Sequence, residues 1–355
     1  MRIDQLIPAF HRGDAIGDTA FHLKRFFLSR GYDSEIYSLD RDPGLENESR
    51  PFASFPPPSA KDVTILHYAL PSSLTGGLVR LPGRKAIIYH NITPAKFFAP
   101  FSAEMARISA IGRQELASLV PAVDLALADS DYNRRELDAL GFNKTDVLPL
   151  FIDFGKYATP PSGFVRDIYR DDRTNILFVG RIAPNKKIED LVRVAFYYKK
   201  YISPLVRLVV VGKTSALPKY YESVSRMADE FYLQPEEIVF TGHIPDEELF
   251  ALYKASDVFL SLSEHEGFCL PLVESLVFDL PVIAFKTGAV PETLDGAGVL
   301  LDEKRTDRTA ELVHKVVGDK KLRAKIIEGQ RRRLERFRSR DLEGFLLGKI
   351  GELVR

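Results

Sequence analysis

The chain has no net charge, one cysteine and no long apolar run, and each shortage removes a class of protein. Lys+Arg 49 balances Asp+Glu 49 over 355 residues, which argues against a dedicated nucleic-acid binder and leaves only a local basic face open. A single thiol, Cys269, can neither close an intramolecular disulfide nor build a cysteine-rich zinc site, and it fits a reducing compartment. No stretch approaches the roughly 18 consecutive apolar residues of a spanning helix. The opening "MRIDQLIPAF" lacks the apolar core of a signal peptide. The expectation is a cytoplasmic protein, with peripheral contact at the inner face of a membrane left open. The loop "HRGDAIGDTAFHLKRFF" is neither a G-x-G-x-x-G turn nor a Walker loop, so dehydrogenases and P-loop NTPases lack their fingerprints here.

What is present is a rhythm. "ILFVG", "LVVVG", "IVFTG", "VFLSLS", "PVIAF" and "GVLL" recur through the second half, separated by helical patterns such as "IEDLVRVAFYYKKY" and "DEELFALYKAS". The first half repeats it with "RIDQLIP", "SEIYSL", "VTILHYAL", "KAIIYHN", "LALADS" and "DVLPLF". Buried strands alternating with helices predict α/β architecture with parallel, helix-covered sheets, and the length favours two domains. The reading is two Rossmann-like domains, 1–155 and 156–335, with 336–355 a final helix packing back toward the first. The stretch 155–174, rich in Gly, Pro and charge, is the expected boundary. The basic run 319–341 reads first as a solvated helix face and second as a contact with an anionic membrane.

Open parallel sheets bind ligands beyond the carboxyl ends of their strands, which directs attention to the residues after each apolar run. After "ILFVG", Arg181 and Lys186 precede a helix, where side-chain charge and helix dipole would act together on an anionic diphosphate. After "VFLSLS" comes "EHEGFCLPLVES", in which Gly267 permits close backbone approach and Pro271 suits a helix start. Glu266 then belongs to a loop and Glu274 to the helix's first turn. Seven residues apart, they do not share a helix face, and their partners would lie along an extended polyol such as a nucleotide sugar.

The "GR...NKK" loop followed by "SEHEGFCLPLVES", with "TGHIPDEELFALYKASDVFLSLSEHEGF" and "LPVIAFKTGAVPETL", resembles the retaining glycosyltransferases of family 4. The resemblance implies the GT-B fold, two Rossmann-like domains whose parallel sheets face a central cleft. It also implies roles at matching positions. Arg181 and Lys186 would hold the donor diphosphate with Gly180 beside them, Glu266 would bind hexose hydroxyls, and Glu274 would bind the ribose. The backbone of Gly267, Phe268, Cys269 and Leu270 would meet sugar or phosphate. Cys269 stands where the family often has a second glycine. "IIYHNITPAKFF" and "LALADSDYNRREL" are similar to family segments of the first domain; there His90 would face the donor sugar, while Gly13 and Gly17 would bring backbone toward phosphate or acceptor.

"DRD" (40–42) and "DSD" (129–131) match a metal-binding D-x-D by letter only, and protein cations can neutralise the diphosphate, so no metal or other cofactor is expected. His67 and His243 receive no role. The implied activity is transfer of a hexose from a GDP- or UDP-linked donor, with mannose from GDP-mannose first, to a glycan or lipid-linked acceptor in bacterial surface polysaccharide assembly. The rivals are a nucleotide-sugar binding protein without turnover and another GT-B enzyme, an epimerase or phosphorylase.

Overall fold

A computed structural model describes residues 1–354. The chain divides into two compact units. Unit 1 comprises Met1–Lys96, Ala103–Ile152 and the chain from Asp341 onward, and unit 2 comprises Phe97–Ser102 and Asp153–Arg340.

Unit 1 holds seven strands: β1 (Ile3–Phe10), β2 (Ile36–Arg41), β3 (Arg50–Pro51), β4 (Val63–Tyr68), β5 (Arg84–Tyr89), β6 (Leu125–Ala128) and β7 (Thr145–Val147). They form one sheet in the order β3-β2-β1-β4-β5-β6-β7, with every pair parallel. Consecutive side chains of a strand leave on opposite faces, so each face has its own core. Leu6, Leu66, Ile87 and Ala126 pack on one side, and Ile3, Ile65, Ile88 and Leu127 on the other. The final helix, Leu342–Val354, adds Leu346, Ile350 and Leu353 to the second core, and Lys349 ties it to Asp146 at 2.8 Å.

Unit 2 holds β8 (Thr174–Val179), β9 (Val206–Val211), β10 (Ile238–Gly242), β11 (Val258–Ser261), β12 (Val282–Phe285) and β13 (Val299–Leu301). The order is β10-β9-β8-β11-β12-β13, again all parallel. Residues 206–211, "VRLVVV", are buried throughout, as a strand covered on both faces requires. The one charge within it, Arg207, donates to Asp171 and Asn175 and to the Glu236 carbonyl.

One expected boundary shifts. The first unit ends at Ile152 rather than 155, and the stretch after it belongs to unit 2, where the Ser162 amide bonds the Glu247 carbonyl at 2.8 Å. The basic run becomes the helix Lys320–Arg338, and most of its basic side chains are exposed, as the reading of a solvated helix face expects, with Arg333 turned inward. Arg333, 5% exposed, donates to the Thr293 and Glu292 carbonyls, and Gln330 bonds both the Leu280 carbonyl and the Val282 amide.

Candidate functional site

In unit 2 the strand order reverses between β8 and β11, the switch point at which doubly wound sheets open a ligand crevice. The loops after these strands are laced together by the protein itself. Asn185, 4% exposed, donates its side-chain amide to the His265 carbonyl at 3.0 Å and accepts at its own carbonyl from the Glu264 amide at 2.7 Å. Its neighbour Lys186 places Nζ 2.7 Å from each oxygen of Glu266, a carboxylate only 5% exposed. An ammonium has three donors, so one is left for a further acceptor. Arg181 is exposed and makes no ion pair among the described residues.

Two glycines let these loops sit where they do. A Cβ on Gly288, whose φ is +50°, would stand 2.3 Å from the Glu266 carbonyl oxygen, and one on Gly212 would stand 1.9 Å from that of Gly180. The Glu266 carbonyl also accepts from the Ala289 amide at 3.0 Å. Further back, Lys304 bridges Asp190, at 2.8 Å, and Glu264, which pins the Ile188–Tyr201 helix to the second loop.

The helix after this loop runs Leu270–Val277. Glu274 is therefore its fifth residue, one place past the first turn, because the helix starts at Leu270 with Pro271 second. The amides of Phe268, Cys269 and Leu270 make no hydrogen bond among the described residues, and such free first-turn donors attract anions. Cys269 holds φ at +71°, a left-handed conformation that costs a residue with a Cβ about 1 kcal/mol. Burial, reinforced by the Glu266 charge, pushes its thiol well up from the ordinary value. Glu274 is 5% exposed; its Oε2 accepts from the Tyr253 hydroxyl at 2.8 Å and its Oε1 from that of Tyr157 at 3.2 Å.

Unit 1 carries a second polar assembly at the carboxyl ends of its strands. Asp129 Oδ2 lies 3.0 Å from His90 Nδ1, His90 Nε2 lies 3.0 Å from His67 Nδ1, and His67 Nε2 lies 2.9 Å from Gln5 Oε1. The Gln5 amide nitrogen donates to the Ala20 carbonyl, which fixes Gln5 as acceptor toward His67. His67 Nε2 therefore carries its proton, and burial followed by the neighbouring His90 charge lowers its affinity for a second one. The His90 side chain is 2% exposed, so a direct bond from either ring nitrogen to a ligand requires one of these bonds to break.

The glycines of the first loop differ from each other. Gly13, φ +79°, has open space where a Cβ would stand, whereas a Cβ on Gly17 would lie 1.8 Å from the His11 carbonyl oxygen. The closeness at Gly17 is thus spent on the loop itself. Of the D-x-D letters, Asp42 pairs with His11 at 2.7 Å, Asp129 with His90 and Asp131 with Arg134. Sequence reading missed Asn185, Lys304, Gly212, Gly288 and His67. Asn185, Gly212, Gly288 and His67 all stood inside quoted stretches, but they, like Lys304, make their contacts across lengths of sequence that no local pattern signals.

Residues 166–333 match the model of the family described as glycosyl transferases group 1. A serotype-specific mannosyltransferase, WbdA, of Escherichia coli is 24% identical over 155 residues, 44% of this chain and 19% of that protein. A GDP-mannose-dependent alpha-mannosyltransferase of Mycobacterium tuberculosis is 30% identical over 54% of this chain and 48% of its own length. The chain thus spans under a fifth of the first relative and about half of the second. Among solved structures, sucrose-phosphate synthase from Thermosynechococcus elongatus superposes with a TM-score of 0.73 at 16% identity, covering 99% of this chain and 98% of that one. Anabaena HepE in complex with UDP-glucose gives 0.72 at 17%, covering 99% and 98%. These structures share the fold of two parallel-sheet, Rossmann-like domains. Residues 166–333 thus resemble the glycosyl transferases group 1 family, and the fold of the chain is GT-B.

Proposed function

We propose that the protein is a retaining glycosyltransferase that moves a hexose, mannose from GDP-mannose in the first instance, to a glycan or lipid-linked acceptor of bacterial surface polysaccharide. The carrying observation is the Lys186–Glu266 pair beside free helix-start amides at the switch point of unit 2. In this reading Arg181, the third donor of Lys186 and the amides of residues 268–270 bind the diphosphate, and Glu266 takes hexose hydroxyls. Glu274 takes the ribose. The bond from the anomeric carbon to phosphate breaks, the bond to the acceptor oxygen forms on the same face, and the acceptor proton passes to the leaving phosphate oxygen. Cations fixed near that phosphate stabilise the developing charge without a metal. Mannosyltransferase relatives support the choice of sugar, and the UDP-glucose bound by the HepE neighbour supports a nucleotide-sugar donor more generally. Unit 1 is assigned the acceptor, with peripheral membrane contact where that acceptor is a lipid.

Melting curves with GDP, UDP, ADP and their sugars test the donor, since a ligand of the folded state raises its melting temperature. The best sugar donor is then supplied with a lipid-linked glycan, and the anomeric configuration of the product is read by NMR. No stabilisation by any nucleotide would remove the donor reading, and an inverted product would remove the mechanism.

A further inference from the structure

Both oxygens of Glu274 are claimed by phenols from separate elements. Tyr253 comes from the helix Asp246–Ala255 and Tyr157 from the short 3-10 turn Phe154–Ala158. Lys156, next to Tyr157, sets Nζ 3.6 Å from Oε1. The phenols are held independently of any ligand. The Tyr157 ring meets Phe250 at 5.4 Å and the edge of Phe278 at 5.9 Å, and Phe278 stacks on Tyr253 at 5.2 Å. Burial, and then the Glu274 charge, pushes both phenols up from 10, so they remain donors. Two hydroxyl donors and an ammonium face this carboxylate, whose oxygens accept. It offers about four lone-pair positions, two of which these phenols use. What remains suits a vicinal diol, which brings two hydroxyl donors.

We propose that Tyr157, Tyr253 and Lys156 are positioning residues that aim Glu274 as an acceptor-only clamp on the ribose diol, and so make this chain distinguish ribonucleoside from deoxyribonucleoside diphosphates. The inference rests on the reading above that Glu274 meets the ribose. A purely structural polar cluster would stabilise unit 2 equally well but would not sense a missing ligand hydroxyl. A site built to bond a hydroxyl rejects the analogue lacking it, because its own buried group is left unpaired.

The test takes whichever of GDP, UDP and ADP binds the wild-type protein tightest, together with its 2′-deoxy analogue, and measures both affinities by calorimetry. Wild type should prefer the ribonucleotide by about tenfold or more, the worth of a hydrogen bond to a charged group. Tyr157→Phe and Lys156→Met, at partly buried positions, should shrink that ratio to within about threefold while both proteins keep cooperative melting. Tyr253→Phe should do the same if it folds. Full discrimination retained in both Tyr157→Phe and Lys156→Met, but lost in Glu274→Gln, overturns the proposal and leaves the ribose assignment standing. Full discrimination retained in Glu274→Gln, no discrimination in wild type, or no binding of any of the three, overturns both.

Discussion

Lys186 Nζ stands equidistant, at 2.7 Å, from the two carboxylate oxygens of Glu266. A single ammonium shared by both oxygens fixes the plane of the carboxylate, and the third ammonium donor points elsewhere. Charge neutrality inside the loop and a donor left over for a further acceptor are thus met by one side chain.

Removing one partner should separate catalysis from binding. Breaking a buried pair costs about 3–5 kcal/mol when a charge is stranded, so Glu266→Ala combines chemical loss with loss of stability. Glu266→Gln keeps an acceptor for Lys186 and is the cleaner variant. Its turnover should fall at least about a hundredfold, the scale of losing one preorganised polar group. Nucleotide affinity should stay near wild type and the melting temperature within a few degrees. Steady-state rates set beside calorimetric nucleotide titration check this, and a Glu266→Gln protein with normal turnover would end the role assigned to Glu266.

The strand rhythm placed twelve of the thirteen strands, because parallel strands covered on both faces leave dense apolar runs. The missing one, β3, is two residues long and has no such run. That Arg181, Lys186, Glu266 and Glu274 follow β8 and β11 was legible as well, because each comes soon after an apolar run in the sequence. The supports were not. Gly288 meets Glu266, Gly212 meets Gly180 and Lys304 meets Glu264 only after the sheet is built. His67 and His90 lie 23 residues apart, and parallel pairing of β4 with β5 brings them together.

Those supports should be sensitive to a single methyl group. Gly288→Ala adds a Cβ at 2.3 Å from the Glu266 carbonyl oxygen and at positive φ, so backbone must move. Destabilisation of about 1–3 kcal/mol is expected, the range for overpacking and strain, together with loss of turnover. Gly13→Ala, where the Cβ meets nothing within 4 Å, carries the φ penalty alone and should lose less stability. Urea unfolding of the two variants compares them directly, and equal costs would argue against close packing as the reason for Gly288.

Cys269 offers the opposite change. Glycine relieves the left-handed backbone, so Cys269→Gly should melt a few degrees higher, in line with a gain of about 1 kcal/mol. In the native protein the thiol should react slowly with iodoacetamide near neutral pH, because burial and the Glu266 charge both oppose the thiolate. Mass spectrometry with and without denaturant reads this, and rapid native labelling would contradict the environment described.

Stability against pH should carry two opposed contributions from unit 1. His67 takes up a proton less readily folded than unfolded, burial being the main cause. Below about 6.5 the unfolded chain therefore binds a proton that the native state refuses, and this contribution makes stability fall as pH drops. Asp4 is raised from 3.8 to about 6, by burial against the counteracting Arg2. Between those values the native state holds the extra proton, so the stability Asp4 contributes is complete below about 3.8 and lost as pH rises through about 6. The two slopes oppose each other between about pH 4 and 6. Asp4→Asn removes the falling contribution and should steepen the gain in stability across that window. His67→Phe removes the rising one, at the cost of about 1–3 kcal/mol for stranding its hydrogen-bond partners. Urea midpoints at half-unit intervals from pH 4 to 7.5 resolve the slopes, and an Asp4→Asn profile parallel to wild type would show that Asp4 titrates as an ordinary carboxylate.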